Sequence, residues 1–151
     1  MKNISDMLTV DMICDLRSDS KDDALNEMIE MASKSPRVSS SDALHRAIRY
    51  RENIMSTGVG LGIAIPHAKI SSVTDFVIAL GRSTAGIEYE SLDGKPVHLI
   101  ILIAASDTQG EEFLKLLAKI GTVFNKPGNI KKVLEAKTSD KILTVFKKIE
   151  Q

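Results

Sequence analysis

The apolar positions change period several times along the chain, and each change marks an element. Residues 97–105 form the longest nearly unbroken apolar run, with only His98 polar, which predicts a central strand buried on both faces. Residues 75–82, with Phe76, Val77, Ile78 and Leu80, predict a second strand of the same kind, and 63–65 and 12–16 predict two shorter ones. Between them the period lengthens. Ala24, Leu25, Met28, Ile29 and Ala32 recur at helical spacing behind Ser20, whose partner Asp23 three positions on forms a capping arrangement. A second helix is predicted over 42–53 with Leu44, Ala47 and Ile48 inward. A third, over 111–124, presents Phe113, Leu114, Leu117, Ala118 and Ile120 before Asn125-Lys126-Pro127-Gly128 breaks it. Short helices over 130–136 and 140–149 close the chain, the last with Ile142, Leu143, Phe146 and Ile149 on one face. Asp93-Gly94 marks a turn before the central strand, with a hairpin as one outcome. The residues before the strand at 12–16 predict no further element. Doubly buried strands need helices on both sides, so the pattern predicts an α/β sandwich.

Composition narrows the classes. A chain of 151 residues suits one domain, 1–151, without repeats or linker. Twenty Lys and Arg balance twenty Asp and Glu, which argues against nucleic acid or an anionic membrane as the main partner. Cys14 is the single cysteine, so the chain forms no disulfide within itself, and its apolar neighbours Met12 and Ile13 predict a buried thiol. The nine-residue run 97–105 is about half of a membrane span, and the first residues lack an apolar secretion segment. A cytoplasmic protein without direct membrane insertion is expected. The three histidines, His45, His67 and His98, have no metal-ligand spacing, so no metal and no cofactor is expected.

The candidate chemistry lies in residues 51–68. Pro66 fixes its own φ and biases Ile65 towards an extended conformation, so His67 is delivered stiffly. Imidazole is largely neutral and nucleophilic near pH 7 and accepts a phosphoryl group without a separate base. Arg51, sixteen positions earlier on the last turn of the second helix, is the candidate charge partner, the alternative being a cation that only complements the helix end. Gly58, Gly60 and Gly62 permit φ > 0 and successive exposed N–H groups, the geometry of an anion nest, so Ser56, Thr57 and Gly58 are candidate phosphoryl-binding residues. These glycines follow a helix and precede a strand, the reverse of the order in a dinucleotide-binding turn, and no Gly-Lys-Ser or Gly-Lys-Thr of a P-loop occurs. His45 and His98 read as structural, with His98 able to reach a site only at its strand's end.

Glu52, six residues, Val59-Gly60, two residues, then Ile63-Ala64-Ile65-Pro66-His67-Ala68 resembles the phosphohistidine signature of the fructose/mannitol-type (type 2) enzyme IIA family of the phosphoenolpyruvate-dependent phosphotransferase system, including its nitrogen-regulatory branch. The similarity runs over roughly residues 4–149. It implies a mixed, mainly parallel β-sheet sandwiched by helices on both faces. It also implies phosphorylation of His67 with Arg51 as charge partner, a histidine-containing phosphocarrier protein as donor, and a cysteine or histidine of an enzyme IIB as acceptor in bacterial sugar transport. The nitrogen-regulatory alternative is phosphorylation-dependent binding of a target protein. Many members carry a second histidine near the start of the helix after the central strand, and Phe113 aligns there.

Overall fold

The structure, a computed structural model, describes residues 3–151. Its strands are β1 (Ile13–Asp15), β2 (Gly58–Gly60), β3 (Ile63–Ala64), β4 (His67–Lys69), β5 (Val77–Ile87) and β6 (Val97–Ala105). Its helices are α1 (Ile4–Met7), α2 (Lys21–Ala32), α3 (Ser41–Ile54), α4 (Gly110–Phe124), α5 (Asn129–Glu135) and α6 (Ser139–Ile149), with a 3₁₀ turn at Val10–Met12. The sheet order is β1-β5-β6-β3-β2, with β4 also on β6. The pairs β1/β5, β3/β6 and β4/β6 are parallel, whereas β5/β6 and β2/β3 are antiparallel. The sheet is therefore mixed and mainly parallel by pairing, although its longest ladder, β5/β6, is antiparallel.

β6 is central as its composition predicts, and every residue in it except His98 is buried, which requires cover on both faces. α2 packs on β5 and β6 and α3 on β4, while α5 also packs on β6. Ser20 and Ser40 cap α2 and α3 by accepting the N–H groups of Asp23 and Ala43. The Asp93-Gly94 turn lies in the β5–β6 hairpin, where Ile87 pairs with Val97.

Several expectations are corrected. β5 runs five residues beyond the predicted end at 82, and β2 has no counterpart among the predicted strands. α4 is rotated from its expected face: Phe113, Leu116, Ile120, Val123 and Phe124 are buried, whereas Leu114 and Ala118 are exposed. α1 was not predicted; its Ile4 and Ser5 N–H groups donate to the Glu150 carboxylate at 2.5 and 2.6 Å, which Lys119 also approaches at 3.5 Å. A carboxylate at a helix N-terminus satisfies otherwise orphaned donors. Cys14 is half-buried, and burial foremost pushes its thiol up to about 11.

Candidate active site

Pro66 divides what the sequence predicts as a strand leading into His67. It has no N–H to give the ladder, so β3 stops at Ala64 and β4 resumes at His67, both on the same edge of β6. The Pro66 carbonyl accepts from Ile103 N at 3.0 Å, which pins the break to the central strand. His67 thus starts a strand and is held by its backbone.

The imidazole orientation follows from one hydrogen bond. His67 Nδ1 lies 2.7 Å from the Ile65 carbonyl oxygen. A carbonyl only accepts, so Nδ1 carries the proton and the lone pair is on Nε2. Burial lowers the His67 pKa below its ordinary value; the Ile65 hydrogen bond opposes this, the Arg51 charge adds to it, and Glu52 opposes it. The ring is therefore neutral near pH 7 with Nε2 as its nucleophilic atom. Phe113, in the first turn of α4, packs beside it with ring centroids 5.3 Å apart and planes tilted by 54°.

Arg51 occupies the last turn of α3, as expected, close enough for its charge to bear on His67. Its Nη1 donates to the Met55 carbonyl at 2.8 Å, so in the absence of an anion it also seals the helix end. The other three expected residues are placed differently from the open nest. Thr57 is buried: its N–H and hydroxyl donate to the two Glu52 oxygens at 2.9 and 2.6 Å. The Tyr89 hydroxyl lies 3.1 Å from Thr57 Oγ1 and, with the Thr57 proton committed to Glu52, is the donor in that bond. Burial foremost pushes the Tyr89 phenol up, which keeps that donor protonated. Gly58 donates its N–H to Ser56 Oγ at 3.1 Å, and a Cβ there would sit 2.8 Å from Ser91 Cα, so close packing and not a positive φ requires glycine at 58. Ser56 is half-buried, its hydroxyl donating to the Tyr89 carbonyl at a long 3.3 Å.

The remaining glycines form no nest at His67. Gly60, Leu61 and Gly62 all have positive φ and make the turn between β2 and β3, where the Leu61 N–H faces an Asp93 carboxylate oxygen at 3.3 Å. Gly62 accepts from His98 and Leu99, whereas His67 pairs with Ile103, four residues along β6 from Leu99 and about 13 Å away at strand rise. The same register removes His98 from the site; its Nδ1 donates to the Ser83 carbonyl at 2.9 Å. His45 is half-buried and pairs through Nε2 with Glu30 at 2.7 Å.

Sequence reasoning missed Glu52 as a buried carboxylate, because a charged residue near a helix end reads as solvated. It missed Lys69, two positions beyond His67, whose Nζ lies 5.8 Å from the Phe113 ring centroid. The alternation of a strand supplies the signal for Lys69, since i and i+2 share a face. A cavity of about 640 Å³ on another side of α4, reached by Gln109, Glu112 and Leu116, is lined by none of His67, Arg51 and Phe113. No group of His, Cys, Asp and Glu able to hold a metal exists among the described residues, and no helix there is long and apolar enough to cross a membrane.

Comparison with known proteins matches the chain to a family. The profile described as "Phosphoenolpyruvate-dependent sugar phosphotransferase system, EIIA 2" matches residues 7–149. The fructose-specific EIIABC component of Bacillus subtilis (strain 168) is 38% identical over 144 residues; the match covers 95% of this chain but only 23% of that protein's length. Among solved structures, the nitrogen regulatory protein IIA-Ntr from Neisseria meningitidis superposes with a TM-score of 0.87 at 24% identity, covering 95% of this chain and 98% of the other. Enzyme IIA mannitol from Escherichia coli, solved in complex with phosphorylated enzyme IIB mannitol, superposes with a TM-score of 0.79 at 18% identity, covering 93% and 97%. With the match spanning nearly all of the chain, including the segment that carries Arg51 and His67, the protein belongs to the EIIA 2 family of the phosphoenolpyruvate-dependent sugar phosphotransferase system.

Proposed function

We propose that this chain relays a phosphoryl group through Nε2 of His67, taking it from a histidine-containing phosphocarrier protein and passing it to an enzyme IIB. The observation that carries the reading is the His67 tautomer: a neutral imidazole whose Nδ1 proton is held by a backbone carbonyl has its lone pair on Nε2. In the transfer, that lone pair forms a new N–P bond as the donor's N–P bond breaks, and the released electron pair returns to the donor imidazole. The donor ring enters protonated on its other nitrogen and leaves as neutral imidazole, while the His67 ring keeps its Nδ1 proton, so no proton passes between them. Arg51 exchanges the Met55 carbonyl for phosphoryl oxygens, and the loosely held Ser56 hydroxyl turns from Tyr89 to donate as well. Thr57 and Gly58 act through the backbone, keeping the segment before β3 fixed. Exposed Tyr50, Ile54 and Met55 beside Arg51, and Leu114 beside Phe113, give a protein partner an apolar rim to dock on. Transport is favoured over the nitrogen-regulatory alternative by the 38% identity to a fructose-specific component, against 31% to a nitrogen regulatory protein from Bradyrhizobium diazoefficiens.

Incubation with phosphoenolpyruvate and the general phosphotransferase proteins tests the reading. Mass spectrometry is expected to find one acid-labile, base-stable phosphate on His67, chased off by enzyme IIB. An unlabelled protein, or a label that enzyme IIB cannot remove, contradicts the relay.

Arg51→Lys is expected to slow transfer about tenfold although it keeps the charge, because an ammonium lacks the planar fork that meets two oxygens and hydrogen bonds to charged groups are worth about 1.5–3 kcal/mol. Single-turnover transfer at the parent rate would reduce Arg51 to a helix-end cation. Phe113→His is expected to speed transfer up to about tenfold by adding a donor beside His67, at a stability cost of about 1–3 kcal/mol if the buried imidazole lacks partners. Rate and melting temperature measured together separate the two effects, and a folded variant that is no faster contradicts the first.

A further inference from the structure

His67 and Lys69 project from the same face of β4, with Ala68 buried on the other. Both side chains meet one ring: the His67 imidazole lies 5.3 Å from the Phe113 centroid and the Lys69 ammonium 5.8 Å from it. Phe113 offers no hydrogen-bond donor, and the Arg51 guanidinium is engaged at Met55, so the described site presents one further cation next to the imidazole. That cation is poorly matched to its present surroundings. Its Nζ is 3.7 Å from where a Cβ on Gly110 would lie, against the first residue of the fifteen-residue α4, where the helix dipole already disfavours positive charge. Among the described residues it has no ion-pair partner within 4.0 Å. An exposed contact with a phenyl ring holds an ammonium only weakly. A phosphoryl group on His67 brings an anion to the face of β4 that Lys69 shares and to the Phe113 ring, in the first turn of α4, that both side chains meet.

We propose that Lys69 is a further catalytic residue of this site, its ammonium swinging from the Phe113 ring to donate to the phosphoryl oxygens as the group moves onto His67. It supplies charge and hydrogen bonds only; the bond changes are those given above, and Lys69 keeps its protons. Phe113 then serves as the dry wall along which the lysine stem moves.

This inference rests on the relay reading, and the test separates the two. Single-turnover labelling of His67 is measured from the phosphorylated phosphocarrier protein and, separately, from phosphoramidate, a small donor without a docking face. Lys69→Met is expected to slow labelling from both donors about 10²-fold, the loss that follows when one charged donor to the phosphoryl oxygens is removed. Lys69→Arg is expected to keep most of the rate, and Phe113→His in the Lys69→Met background to restore part of it. Lys69→Gln, with a melting curve for each variant, guards against a folding effect, which exposure of Lys69 makes small. Labelling of Lys69→Met or Lys69→Gln from phosphoramidate at the parent rate overturns the inference, even if the protein donor is slowed, because that pattern is docking alone. A parent chain that takes phosphate from neither donor overturns the relay and this inference with it.

Discussion

His67→Ala is expected to abolish phosphate uptake altogether, whereas His45→Ala and His98→Ala leave it at the parent level. The separation is geometric. His98 Nδ1 is committed to the Ser83 carbonyl near the β2–β3 turn, and His45 Nε2 to Glu30 on α2, so neither stands near the proposed transfer site. His67 combines a fixed Nδ1 proton with a depressed pKa. The depression sets the pH dependence. Burial, with help from Arg51, favours the uncharged ring, so the nucleophilic form persists as pH falls through 6.5, the ordinary value, and is lost only below the lowered pKa. Single-turnover labelling from phosphoramidate is expected to stay flat from pH 8 to about 6.5 and to decline on the acid side of that value. A profile already half lost at pH 6.5, or any labelling of the His67→Ala protein, contradicts the assignment.

What the sequence discloses and what it hides divide along a physical line. Periodic burial is legible: β6, the inward residues of α2 and the serine that opens it follow from spacing and capping. Buried polar groups are not, because their partners are distant in the chain. Arg82 interrupts the apolar pattern, so the predicted strand stops there; in the fold its Nε donates to Asp15 at 2.7 Å and its Nη1 to the carbonyls of Val133, Leu134 and Ala136, and β5 continues to Ile87. α1 is four residues long and owes its place to Glu150 at the other end of the chain. At the site, Pro66 and His67 could be read directly, and so could Arg51 at its helix end. The positive φ of Gly60 and Gly62 was legible, but the nest expected from them at His67 was not found, since the register of β3 and β4 on β6 sets their turn four residues of β6 away from His67. Glu52 stayed hidden for the same reason as Arg82.

Glu52→Ala is expected to lower stability by about 3 kcal/mol, the low end for removing one partner of a buried ion pair, because Lys21 keeps some contact with water. The Glu52 side chain is 4% exposed, and its oxygens take the Thr57 N–H, the Thr57 hydroxyl and the Lys21 ammonium at 2.9, 2.6 and 3.0 Å. Alanine leaves the Thr57 amide buried without its acceptor, and leaves Lys21, among the described residues, with Glu90 at 3.8 Å and the Tyr89 ring at 4.7 Å. For a chain of this size the melting temperature is then expected to fall by about 6–12 °C. Transfer should slow as well, through a short chain of bonds. Glu52 holds Thr57, the Thr57 carbonyl accepts from Ile65 N at 3.0 Å, and the Ile65 carbonyl holds His67 Nδ1. Loosening Thr57 therefore loosens the acceptor that fixes the nucleophile's tautomer. Glu52→Gln separates these contributions, since the amide oxygen still accepts one Thr57 bond while its NH₂ faces another donor; an intermediate loss of stability is expected, with a smaller loss of rate. The ¹⁵N shifts of His67 report the tautomer directly, and a Glu52→Ala protein that melts within about 2 °C of the parent with its Nδ1–H signal unchanged would show that the network neither stabilises the fold nor positions the imidazole.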